Sequence, residues 1–110
     1  MRIPNADKAV IAEDKLCNYL LNPTHRRGAS KAKLLLSMGY HVADWQRLEA
    51  DIRAQHLTAE VDRETDTDYG KRFEILAPLH GPSGQTIAFR SVWQIDTGTG
   101  YPRLITMYPE

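Results

Sequence analysis

The apolar residues of this chain change their spacing once, near residue 57, and that single change limits the folds open to it. Before it the period is helical. Leu16, Tyr19 and Leu20 recur behind the acidic opening Glu13-Asp14, and Asn22-Pro23 ends the pattern, which predicts a short helix over residues 12–21. Ser30 is placed to cap a second helix that carries Ala32, Leu34, Leu35, Leu36 and Met38, with Gly39 at its left-handed C-terminal position. Asp44 opens a third, in which Trp45, Leu48 and Ile52 form the apolar stripe and Gln46, Arg47, Glu49, Asp51 and Arg53 face water, ending about His56.

After residue 57 the period is two. Phe73, Ile75, Ala77 and Leu79 alternate with other residues, and so do Ile87, Phe89, Ser91, Trp93 and Ile95. Residues 80–84 join these runs as a hairpin, and residues 97–100 lead into a last strand over 103–108. A further strand over 59–64, poor in apolar residues and so placed at an edge, is expected to pair with the first run through a turn at 65–70. Helices first and strands after predict an α+β domain over 1–110. About three N-terminal helices (1–57) pack on a C-terminal antiparallel meander of three to four strands (58–110).

Composition narrows the functional classes. Fourteen basic and fourteen acidic residues cancel, so any nucleic-acid binding must come from a local patch. Cys17 is the only cysteine, which rules out an internal disulfide and suits a reducing, cytoplasmic setting. No stretch approaches the roughly 20 apolar residues that span a bilayer, so no membrane partner is expected.

His25, His41, His56 and His80 have no pair at ligand spacing and read as surface histidines, so neither metal nor cofactor is expected. Gly81-Pro82-Ser83-Gly84 lies between strands and lacks the following helix that a phosphate loop needs. No nucleophile elbow is present. Glu13-Asp14 and the pair Asp66 and Asp68 suit a helix start and a turn, and both tryptophans belong to apolar faces. What stands out is the loop His25-Arg26-Arg27 followed by Lys31 and Lys33, a cationic patch at a helix start that can hold a phosphate or simply face water.

The segments PNADKAVI, KLCNYLLNPTHRRGASKA, MGY, DYGKRF, GPSG, SVWQI and PRLITMYP occur in that order along nearly the whole chain. In this they resemble an uncharacterised bacterial domain family found alone and at the ends of adhesin-like, polymorphic toxin and phage-associated proteins. The arrangement is also similar to the barnase, colicin and RelE superfamily of small RNases, a likeness of fold.

That resemblance implies a metal-independent RNase-like domain of toxin or phage-derived type, with RNA as substrate and an immunity protein as partner. Its chemistry would need a base for the ribose 2'-hydroxyl, a cation for the phosphorane and an acid for the leaving oxygen. The implied parts here are His25 as acid or base, Lys31 and Arg72 as stabilisers of phosphate charge and Thr106 as the hydroxyl that orients the phosphate. Arg26, Arg27 and Lys33 make up the surrounding phosphate-binding patch. Thr106 shares its expected strand face with Leu104 and Tyr108, so a half-buried packing role stands beside the functional one. His25 has a second reading too, as a side chain that ties down its own loop. The competing functional class is a non-catalytic protein- or nucleic-acid-binding module on the same scaffold.

Overall fold

The computed structural model describes residues 1–110 and has the helices-then-sheet order. Helix α1 is only Glu13–Lys15 and runs directly into a π-helical turn, Leu16–Leu20. Helix α2 is Ala29–Ser37 and helix α3 is Trp45–Gln55. Short 3-10 turns stand at Ala6–Lys8 and Val42–Asp44. Strands β1 (Arg63–Thr67), β2 (Gly70–His80), β3 (Thr86–Asp96) and β4 (Pro102–Pro109) form one antiparallel sheet in the order β1-β2-β3-β4.

One face of the sheet carries the core. Phe73, Ile75 and Leu79 on β2, Phe89 and Trp93 on β3, and Leu104 and Met107 on β4 are buried in one cluster with Leu16, Leu20, Leu35, Met38, Leu48 and Ile52 from the helical half. No helix is long and apolar enough to cross a membrane.

The first helix departs from the expected regular turn pattern. The Leu21 amide bonds back five residues to the Leu16 carbonyl, at 2.8 Å. The widened turn lets Leu16, Leu20 and the adjacent Leu21 all reach the core, while Tyr19 is left half-buried at its margin. Ser30 does not cap α2: the helix opens at Ala29 with Gly28 as its N-cap residue, and no side chain caps it. Gly39 does take up a left-handed conformation after α2, with φ +99°.

The edge strand lies later than its thin apolar content suggested, at Arg63–Thr67 rather than 59–64. Its turn shrinks to Asp68 and Tyr69 between the paired Thr67 and Gly70. Cross-strand ladder bonds and the Lys71–Glu64 ion pair, at 3.0 Å, hold this strand in place of buried side chains.

Two sequence segments far apart meet at the end of α2. The Ser83 amide donates to the Met38 carbonyl at 2.9 Å, and a Cβ on Gly81 would lie 2.5 Å from that carbonyl oxygen and 2.8 Å from the Met38 Cβ. Glycine is therefore required in this hairpin by close approach of the helix end. Gly81→Ala is expected to destabilise the fold by about 1–3 kcal/mol, the usual range for overpacking, read as a lower urea midpoint at unchanged slope.

His56 corrects the expectation of four surface histidines, because it is fully buried. Helix α3 ends against the middle of the sheet, where His56 Nδ1 lies 2.8 Å from Ser91 Oγ, and Trp93 Nε1 donates to the same oxygen at 2.9 Å. His56 Nε2 is buried with no hydrogen-bond partner. Burial lowers the His56 pKa from 6.5 to about 4, against a smaller upward pull from the Ala77 backbone.

The unfolded chain thus takes up this proton near pH 6.5, whereas the folded protein resists it until pH about 4. The stability due to neutral His56 is complete above pH 6.5, falls between 6.5 and about 4, and is gone below, a loss of about 3 kcal/mol in all. Urea unfolding of wild type and His56→Gln across this window tests it: the variant should lack that part of the slope, and parallel profiles would refute it.

Candidate functional site

Three elements converge at the rim of the sheet beside β4. Tyr19 comes from the π-helical turn, Lys31 from the first turn of α2, and Thr106 from β4. Lys31 Nζ donates to the Tyr19 hydroxyl at 2.6 Å and to Thr106 Oγ1 at 3.1 Å, and the two hydroxyls are 2.8 Å apart. An ammonium has three N–H donors, so one of them is left over.

Thr106 reaches this position through a β-bulge. The pairing of β4 with β3 slips between Trp93↔Leu104 and Val92↔Thr106, so Ile105 has no partner. Strict alternation would place Leu104, Thr106 and Tyr108 on one face, as the sequence suggested. The bulge instead leaves Leu104 in the core and moves Thr106 and Tyr108 out of that set, at half-buried positions opposite Val92 and Arg90.

His25 is held by its own loop. Its Nδ1 accepts the backbone N–H groups of Arg27 at 3.0 Å and Gly28 at 3.1 Å, which places the imidazole proton on Nε2. The ring meets Tyr19 edge-on, with centroids 4.9 Å apart. Gly28 packs close to the same ring: a Cβ there would be 3.0 Å from Tyr19 Cδ1 and Cε1, so a larger residue would push against it.

Around this cluster lies an open cavity of about 540 Å³. Lys15, Tyr19, His25, Arg27 and Thr106 line it, together with Asp14, Asn18 and Ile105. Lys15 and Lys31 stand 5.3 and 5.0 Å from the Tyr19 ring centroid, in cation-π range. Burial alone would raise the Tyr19 phenol. The hydrogen bonds of Lys31 and Thr106 and the charges of Lys31 and Lys15 outweigh it and hold the pKa below its usual value.

Among the residues chosen from sequence, the structure gathers His25, Arg27, Lys31 and Thr106. Arg26 and Lys33 are exposed and take no part in the cavity lining. Arg72 is not brought to the cluster. It is exposed on β2, paired with Thr65 and Gln94, and two strand spacings, about 10 Å, separate β2 from β4. Tyr19 is the residue that sequence reasoning missed, because its helical spacing with Leu16 and Leu20 assigned it to the core. The same stretch that carries it, KLCNYLLNPTHRRGASKA, also holds His25 and Lys31.

The model of the domain of unknown function DUF6883 matches residues 2–110. The chain belongs to this family. No curated protein matches its sequence. Among solved structures, it is similar to a chain of a contact-dependent growth inhibition toxin–immunity protein complex from Klebsiella pneumoniae 342. The TM-score is 0.69 at 18% identity, covering 92% of this chain and 99% of that one. At that identity the likeness is one of fold.

The lowered phenol is directly measurable. Ultraviolet titration of wild type minus Tyr19→Phe should isolate one tyrosine that ionises below the ordinary range, and the same difference taken in a Lys31→Met background should move that step upward. An unshifted step would show that Lys31 does not control the phenol.

Proposed function

We propose that this DUF6883 domain is a metal-independent RNase of toxin type that cleaves RNA by transesterification. The observation that carries the reading is the contact of Lys31 with both the Tyr19 phenol and the Thr106 hydroxyl beside a cationic cleft. The fold it shares with a chain of a toxin–immunity protein complex supports the same reading.

In this mechanism Tyr19, as phenolate, takes the proton of a ribose 2'-hydroxyl, and the freed oxygen attacks the adjacent phosphorus. The spare N–H of Lys31 and the Nε2–H of His25 bind the phosphate as its charge grows, and Thr106 orients it. The bond to the 5'-oxygen then breaks, and Lys31 gives that oxygen its proton. The products are a 2',3'-cyclic phosphate and a 5'-hydroxyl. The 2.6 Å contact returns the proton from the Tyr19 phenol to the neutral Lys31 amine and closes the cycle. His25, with two amides on Nδ1, serves as a hydrogen-bond donor and not as a proton carrier.

Purified protein incubated with total RNA in EDTA should cleave it. Tyr19→Phe should lose about 100-fold or more, and Lys31→Met a loss on the order of 100-fold. Arg72→Ala should retain full activity. The rate should rise with pH as Tyr19 deprotonates, and Thr106→Val should move that rise to higher pH. Cleavage indifferent to Tyr19→Phe would overturn the mechanism. No cleavage at all would favour the other reading, a binding module for a protein partner, which the occurrence of a similar chain in a two-protein complex also suits.

A further inference from the structure

One wall of the cleft does not suit a phosphate. Lys15, Arg27 and Lys31 make the region cationic, yet Asp14 brings a carboxylate into the same lining. A carboxylate beside a phosphodiester opposes its binding, so this group weakens the hold on the backbone unless it accepts hydrogen bonds from another part of the ligand.

Its partner fixes what it can offer. Asn18 lies one turn further on and donates from Nδ2 to Asp14 Oδ1 at 2.6 Å. That bond orients both side chains and leaves one free carboxylate oxygen on Asp14, and one amide oxygen and one amide N–H on Asn18. The wall therefore presents two acceptors and one donor. Ile105, the unpaired residue of the bulge, and the Tyr19 ring add apolar surface to the same cavity, whose volume of about 540 Å³ is in the range of small-ligand sites.

We propose that Asp14 and Asn18 form a nucleobase subsite selective for guanine. The proposal rests on the RNase reading for its substrate class and adds the base to it. Among the four RNA bases, only guanine presents two N–H donors and one acceptor on its Watson–Crick edge. That edge is what a protein reads once a base is unpaired, while the flat face of the base lies on apolar or aromatic side chains. Uracil offers one donor between two acceptors, cytosine one amino group beside two acceptors, and adenine one amino group beside a single ring nitrogen and a C–H. Each would leave an acceptor of the Asp14–Asn18 pair without a donor, facing another acceptor in the pyrimidines and a C–H in adenine.

Calorimetric titration of wild type, Asp14→Asn and Asn18→Ala with the four nucleoside 3'-monophosphates and with inorganic phosphate tests the subsite. Wild type should bind guanosine 3'-monophosphate about tenfold or more tighter than the other three. Asp14→Asn should abolish that preference while binding inorganic phosphate as well as wild type or better, which a merely helix-stabilising pair would not produce. Equal binding of all four nucleotides by wild type, or an unchanged guanine preference in Asp14→Asn, overturns the proposal. RNA cleavage without base preference would remove the subsite and leave the RNase reading standing. Guanine preference without cleavage would do the reverse, and no binding of any nucleotide or of phosphate would overturn both.

Discussion

The inner face of the sheet cannot be left in water. Phe73 and Trp93 face each other on two adjacent strands, with Phe89 further along β3 and Leu104 and Met107 on the next strand, and nothing in the second half of the chain is free to cover them. Burying such side chains is the dominant favourable term in folding, and here it assigns every helix a place. Helix α3 closes over the middle of the sheet, and its last turn brings His56 down onto Ser91. The segment before α2 has to come in at the β4 side, and its leucines reach the core only because the helix widens by one residue in that turn.

This packing produces the cleft. Once Leu16, Leu20 and Leu21 are committed to the core, Tyr19 lies on the rim with its hydroxyl over β4, and α2 starts close enough for Lys31 to reach it. The aromatic ring is confined on several sides: Gly28 against its Cδ1 and Cε1 atoms, the His25 ring in a T-shaped contact, and two ammonium groups within cation-π distance. Its acidity follows from that confinement. Desolvation works against ionisation of the phenol, but an ammonium and a hydroxyl in direct contact favour the anion more strongly.

How much of this the sequence made legible depended on whether a feature follows a regular period. The change from helical to alternating spacing located the two halves and the meander, because most of the buried positions obey it. The features that escaped are local departures from a period. The wide turn at Leu16–Leu20 converted Tyr19 from an expected core residue into a polar centre, and the extra residue at Ile105 separated Thr106 from Leu104. His56 escaped because a histidine at a helix end carries no sign of what lies above it; only the tertiary packing places it on Ser91. Arg72 was chosen for its charge alone, although the expected meander already sets its strand two away from that of Thr106.

The bulge at Ile105 has a consequence for how this scaffold can change over time. A strand with one residue fewer there would pair with β3 without interruption and could keep Trp93 opposite a leucine, so the core would gain regularity, not lose it. The same deletion would leave Thr106 opposite Val92, on the face it now occupies, and would take Ile105 out of the cleft lining. Stability and site are therefore separable at one position. A lineage of such domains can gain or lose this apolar part of the cleft wall by a single codon in β4, while the pairing of the core residues stays the same.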